Sequence, residues 1–115
     1  MTQATEHLEA ARYLEQAVEL AVRNVAEGGG PFGALVVTAD GRVHEGVNRV
    51  TRDNDPTAHA EVVAIRAAAA GFDDALFYDY FSGTRPELMP VTRDDIPTSA
   101  APFKAWDAFE GKREY

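Results

Sequence analysis

The stretch that decides the fold runs Asn54-Asp55-Pro56-Thr57-Ala58-His59-Ala60-Glu61-Val62-Val63-Ala64-Ile65-Arg66. Its polar start predicts a loop that leads into a helix, with Asp55 or Thr57 accepting hydrogen bonds from the free N–H groups of the first turn. The apolar residues that follow recur at helical spacing and predict a core-facing helix over residues 57–70. The segment therefore predicts an α-helix whose first turn carries His59 and Glu61.

His59 and Glu61 are two residues apart, so inside a helix they would point to nearly opposite sides. At the N-terminal end of a helix both can address one site, where the free backbone N–H groups also converge. His-x-Glu is the first half of a zinc deaminase signature, in which the histidine binds zinc and the glutamate moves protons. The second half, Pro-Cys-x-x-Cys, is missing because the chain contains no cysteine.

The composition indicates one soluble globular domain. The chain has 115 residues, of which 45% are apolar and 26% charged. Its net charge of −8, without a basic run, argues against a nucleic-acid partner but permits a small neutral base. The polar, acidic residues 1–10 do not resemble a signal peptide, and no apolar run approaches membrane-spanning length. With no cysteine to form disulfides, these features predict a cytoplasmic protein.

Two elements are predicted before the deciding stretch. Apolar residues at helical spacing predict an amphipathic helix over residues 5–27 that ends at Gly28-Gly29-Gly30, with His7 solvated in its first turn. Asp40-Gly41 between two β-rich runs predicts a hairpin over residues 31–49.

Three hairpin residues have more than one interpretation. Gly33 and Gly46 can mark bulges or a close backbone approach to a bound ligand. Asn48, at the end of the second strand, can read the edge of a base through its amide or act as a turn residue that bonds its own backbone. The residues alone favour the turn.

Residues 71–115 form an irregular C-terminal segment. An extended aromatic stretch is predicted over residues 72–80, followed by a proline-rich excursion. A short helix is predicted over residues 102–109, with proline in its first turn and Ser99 as a cap. The aromatic residues of that helix share one stripe, which predicts a core or interface contact.

Several motifs resemble those of bacterial guanine deaminases, which belong to the cytidine deaminase-like superfamily. The N-terminal ones are Gly30-Pro31-Phe32-Gly33-Ala34, Glu45-Gly46-x-Asn48 and residues 54–62. The C-terminal ones are Ala70-Gly71-Phe72-Asp73-Asp74, Pro102-Phe103-x-Ala105-Trp106 and the terminal Tyr115. The resemblance covers nearly all of the chain and implies an α/β protein with the three-layer α/β/α fold of that superfamily.

The resemblance also implies a zinc cofactor and roles for individual residues. His59 would bind zinc, and Glu61 would carry the proton of the attacking water. The implied purine-binding residues are Asn48, Phe32, Tyr115, Asp73 and Asp74. The implied reaction adds hydroxide to the amino-bearing carbon of guanine and releases ammonia, giving xanthine.

The chain departs from this family pattern between Ile65-Arg66 and Gly71-Phe72. In the family a long block with sheet strands and the Pro-Cys-x-x-Cys helix separates the two motifs, whereas here they are almost adjacent. A catalytic zinc takes three protein ligands and keeps an open position, and His59 is the one family ligand that remains. We therefore expect a truncated fold and impaired catalysis.

Two alternatives stay open at this point. His44, Asp55 or an aspartate of the tail could replace the lost ligands and give an active metalloenzyme. The chain could instead be a non-catalytic purine-binding or oligomerisation remnant of the fold. A hairpin that has lost neighbouring strands is marginal by itself. The resemblance also implies a dimer in which the C-terminal segment crosses to the partner subunit. We therefore expect a homodimer, with segment 71–115 as a candidate for exchange between subunits, or else a poorly stable protein.

Overall fold

A computed structural model describes the backbone of residues 3–69, 82–84 and 94–112. The elements are the helix α1 (Gln3–Ala26), the strands β1 (Gly33–Val37) and β2 (Val43–Val47), and the helices α2 (Val50–Asp53), α3 (Ala60–Ala69) and α4 (Ala101–Ala108). The predicted aromatic stretch 72–80, which includes Asp73 and Asp74, lies outside the described residues, as do Tyr115 and the side chain of His7. None of the described helices is long and apolar enough to cross a membrane.

The two strands form an antiparallel hairpin that lies between helices. Gly33 pairs with Val47 and Val37 with Val43, without a bulge between them. Asp40-Gly41 lies in the connecting turn, where Gly41 takes a left-handed φ of 86° that suits glycine. α1 packs against the hairpin mainly through β1, and α3 packs mainly through β2. Helices on both sides of a two-stranded sheet give the described residues an α/β/α arrangement in three layers.

Gly33 and Gly46 are the points at which helix backbones approach the sheet most closely. A Cβ on Gly33 would overlap the carbonyl oxygen of Ala17 in α1. A Cβ on Gly46 would overlap the carbonyl oxygen of Ala60 and lie 2.9 Å from Cβ of Ala64, both in α3. Of the two interpretations made from the sequence, the bulge is wrong, and the close approach is made by the helices on the two faces.

The core of the described residues is built mainly from small side chains. Its buried apolar residues are Leu20, Ala21, Val25, Ala58, Ala60, Ala64 and Ala68. The three alanines of α3 recur every four residues and therefore form one face of that helix. Alanine permits close helix–sheet packing but buries little apolar area, so each contact contributes little hydrophobic free energy.

The helix boundaries differ from the prediction in informative ways. α3 begins at Ala60 rather than at residue 57, because the residues before it form a separate turn. The sequence did not predict α2, which ends at Asp53 and is followed by the C-cap Asn54 in a left-handed conformation with φ 54°. Ser99 does not cap α4: the residue at the cap position is Ala100, which makes no side-chain cap hydrogen bond.

Candidate functional site

Backbone hydrogen bonds bring together three predicted site residues that are far apart in the sequence. The N–H of Asn48 donates to the carbonyl of Phe32 at 3.1 Å. The N–H of Arg49 donates to the carbonyl of Ala58, the residue before His59, at 2.9 Å. The end of β2 is thus held between the loop that precedes β1 and the turn that precedes α3.

His59 and Glu61 occupy the N-terminal end of α3. The carbonyl of His59 accepts the N–H of Val63 at 2.9 Å, so His59 directly precedes the first helical residue and Glu61 lies in the first turn. Both side chains are exposed. This position leaves them accessible to a small molecule in front of the helix.

The sequence had suggested Asp55 as a cap of the helix. In the structure Asp55 instead closes the turn ahead of the helix. Its Oδ1 accepts hydrogen bonds from the hydroxyl of Thr57 at 2.7 Å and from the N–H of Thr57 at 2.9 Å. The hydrogen bond from the Thr57 hydroxyl, and after it the one from the Thr57 N–H, hold the pKa of Asp55 below its ordinary value because they favour the charged carboxylate.

We expect Asp55→Ala to lower the melting temperature at neutral pH, because both hydrogen bonds to Thr57 are lost. A pKa that is lower in the folded than in the unfolded chain stabilises the fold above the unfolded pKa and ceases to do so as the pH falls through the folded pKa. The difference between the two proteins should therefore shrink below about pH 4. Thermal melts across pH measure it, with the exposed Asp107→Ala as control. A difference that stays constant into acid would contradict the assignment.

Asn48 is almost fully buried, with 2% of its surface exposed. Its Oδ1 accepts the N–H of Val50, two residues ahead, at 3.2 Å. This is the turn that the sequence favoured. The bond fixes the orientation of the side-chain amide, which bears Nδ2 at its other end.

Asn24 is a site residue that sequence reasoning missed. It is 1% exposed, and its Nδ2 donates to the carbonyls of Gly30 at 2.9 Å and Asn48 at 2.7 Å. Its signal in the sequence is a polar residue on the apolar stripe of α1, between the buried Ala21 and Val25.

Phe32, whose carbonyl bonds to the N–H of Asn48, presents its aromatic ring at the surface. Phe32 is 43% exposed, and its side chain contacts Phe103 of α4 edge to face, with the ring centroids 5.6 Å apart and the ring planes at 80°. Phe103 is itself 50% exposed, so it covers one edge of Phe32 and is not a core residue. An accessible aromatic ring can stack on a planar base, and the side-chain NH₂ of Asn48 is a donor of the kind that can bond to one.

Among the described residues, no three of the types His, Cys, Asp and Glu lie close enough together to hold a metal ion. Within the described part of the chain, His44 and Asp55 do not form a group of three metal-binding side chains with His59, and the carboxylate of Asp55 is engaged by Thr57. Nε2 of His44 is buried without a partner among the described residues. Because a catalytic zinc takes three protein ligands, the donors present in the described part do not fit one.

Residues 8–82 match the family model described as the cytidine and deoxycytidylate deaminase zinc-binding region. The chain belongs to this deaminase family. Zinc is therefore the metal expected from the family, and the fold class inferred from the sequence is confirmed. The donor set of the described residues, in contrast, is incomplete for that metal.

The chain is also similar to individual deaminases. The chain is similar to a guanine deaminase of Bacillus subtilis (strain 168), with 50% identity over 72 residues that cover 57% of this chain and 46% of the relative. The chain thus spans about half the length of the curated relative that it matches. It is also similar to the crystal structure of a Bacillus subtilis guanine deaminase, with 30% identity, 100% of this chain and 99% of that chain covered, and a TM-score of 0.45.

Proposed function

We propose that this chain is a guanine deaminase-family protein that retains the purine-binding end of the site, while its hydrolytic deamination of guanine to xanthine and ammonia is impaired. The observation that carries the proposal is the asymmetry of the site. Backbone hydrogen bonds join Asn48 to Phe32 and its neighbour Arg49 to the residue before His59, yet the described residues contain no group of three metal-binding side chains.

The purine would bind between an aromatic ring and an amide. Phe32 has the exposed ring area for stacking, and Asn48 has an amide whose orientation its bond to Val50 already fixes. A preoriented amide loses little conformational entropy when a ligand binds. Tyr115, Asp73 and Asp74 enter the proposal from the resemblance alone.

Catalysis is expected to be impaired because the catalytic contributions that remain without zinc are small. Glu61 could act as a general base, which contributes about 10²–10⁴-fold to a rate. Enzymes accelerate reactions by at least about 10⁶-fold, so an exposed carboxylate alone falls short. Zinc, when bound in this family, supplies an activated water; here His59 is the one family ligand that the chain contains.

The proposal includes a homodimer in the cytoplasm that acts in purine metabolism. Support for self-association comes from exposed large apolar residues in the described part, among them Leu14 of α1 and Phe103 of α4. The same observation favours a second candidate function, a non-catalytic oligomerisation module that pairs with another copy of this chain.

Guanine binding by metal-stripped protein tests the proposal. We expect calorimetry in the presence of a chelator to detect saturable binding, and Asn48→Ala to weaken it about tenfold, because one well-oriented hydrogen bond is lost. Asn54→Gly serves as the control, since it replaces an exposed asparagine whose φ of 54° glycine readily adopts. Folded protein that binds no guanine, or an Asn48→Ala variant with unchanged affinity, would overturn the proposal.

A further inference from the structure

We propose that Asn24 is a positioning residue for the purine-binding end of the site, because its side-chain amide closes a ring of hydrogen bonds through Phe32 and Asn48. The nature of the ligand rests on the proposed function. The ring itself rests on contacts within this chain.

The ring has four members. Nδ2 of Asn24 donates to the carbonyls of Gly30 and Asn48. The carbonyl of Gly30 also accepts the N–H of Phe32 at 2.9 Å, and the carbonyl of Phe32 accepts the N–H of Asn48 at 3.1 Å. A path of hydrogen bonds therefore leads from Asn24 through both proposed purine-binding residues and back.

The orientation of the Asn24 amide follows from its surroundings. Its NH₂ group faces two carbonyl oxygens, and the reverse orientation would place an oxygen against both of them. Its Oδ1 is buried without a partner among the described residues. An apolar side chain at residue 24 would avoid the cost of that unpaired acceptor. What asparagine adds at this position is therefore its two N–H donors.

The neighbouring backbone is shaped to admit this amide. The carbonyl of Asn24 accepts the N–H of Gly29 at 2.9 Å. A Cβ on Gly29 would lie 2.7 Å from Cγ of Asn24 and 2.7 Å from the carbonyl oxygen of Asn48. A side chain at residue 29 would therefore occupy the space in which the ring closes.

The variant Asn24→Asp has a readout that a general packing defect lacks. Its ionised carboxylate keeps the shape of the amide but loses both donors and repels the two carbonyl oxygens. Protonation restores one O–H donor, so the ring should partly reform as the pH falls. Burial favours the neutral acid and brings this transition toward mild pH.

The experiment follows resonances of the ¹⁵N-labelled full chain at about pH 7.5 and about pH 5. The reporters are the side-chain NH₂ of Asn48 and the N–H of Val50, which bonds to Asn48. We expect both to shift in Asn24→Asp at the higher pH and to return toward wild type at the lower pH. Guanine affinity should fall about tenfold and recover with them. Val25→Ala, a buried neighbour outside the ring, is the control.

The outcomes separate the positioning role from the proposed function. Wild-type protein that binds no guanine would refute the proposed function, while the two resonances would still decide whether Asn24 positions Asn48. Resonances in Asn24→Asp that match the Val25→Ala control at both pH values would overturn the inference. If the wild-type protein binds guanine, an unchanged guanine affinity in Asn24→Asp would also overturn the inference. If Asn24→Asp does not fold at the higher pH, Asn24→Ala makes the same comparison there without a charge.

Discussion

Gly46→Val is expected to lower the free energy of unfolding by a large fraction of its total. Its side chain would be driven into the backbone of α3, where even a Cβ overlaps the carbonyl oxygen of Ala60 and lies 2.9 Å from Cβ of Ala64. Neither group can rotate away as the end of a flexible side chain could. Overpacking of this kind costs typically 1–3 kcal/mol, so we expect a loss at the upper end, about 3 kcal/mol.

That loss is large for a protein with this core. Small domains have only about 5–15 kcal/mol of stability, and five of the seven buried apolar residues in the described part are alanines. Urea unfolding monitored by circular dichroism measures the change. Gly111→Ala is the matched control, because its Cβ would meet only ring atoms of Phe109, the nearest at 3.1 Å. Equal stability of Gly46→Val and wild type would show that α3 does not pack on β2 as described.

Ammonia release from guanine is expected to be at least about 10⁶-fold slower in kcat/KM than that of an intact guanine deaminase, even with added zinc. The reason is chemical. A catalytic zinc lowers the pKa of its bound water to about 7, far below that of water free of a metal. The described residues hold no group of three ligands that could bind such a zinc. The Bacillus subtilis relative provides the reference rate under the same conditions.

Two variants make this measurement decisive. His59→Ala should leave the low rate of the wild-type chain unchanged, whether or not zinc is present, and Glu61→Ala should lower it by no more than the about 10²–10⁴-fold that a general base contributes. Zinc-dependent turnover that Glu61→Ala abolishes would instead demonstrate a rebuilt metal site. The missing ligands would then have to be sought in the residues that the structure does not describe or in a second subunit.

Local patterns in the sequence were enough to predict the framework of the site. Asp40-Gly41 indicated the hairpin because its turn chemistry is local, and the turn formed by Asn48 was likewise a matter of two neighbouring residues. The His-x-Glu pattern indicated the first turn of a helix, where the structure places Glu61. Each of these features depends on residues close together in the chain.

What the sequence did not reveal depends on contacts between distant segments. Asn24 bonds to a carbonyl 24 residues away, and its neighbours in the sequence do not indicate that partner. Gly33 and Gly46 suggested a close approach, but whether a ligand or a helix approaches is decided by packing. The cap predicted at Ser99 failed because α4 begins at Ala101, which puts Ala100 at the cap position.

The most direct test of the account is the zinc affinity of the purified chain, measured by competition with a coloured chelator. Because one histidine ligand provides far less binding free energy than a closed set, we predict a dissociation constant weaker than about 10 μM. His59→Ala should change it little, and chelator should leave the melting temperature unaltered. A dissociation constant of about 10 nM or tighter that His59→Ala abolishes would contradict the account, because it would mean that the chain has rebuilt the metal site of its family.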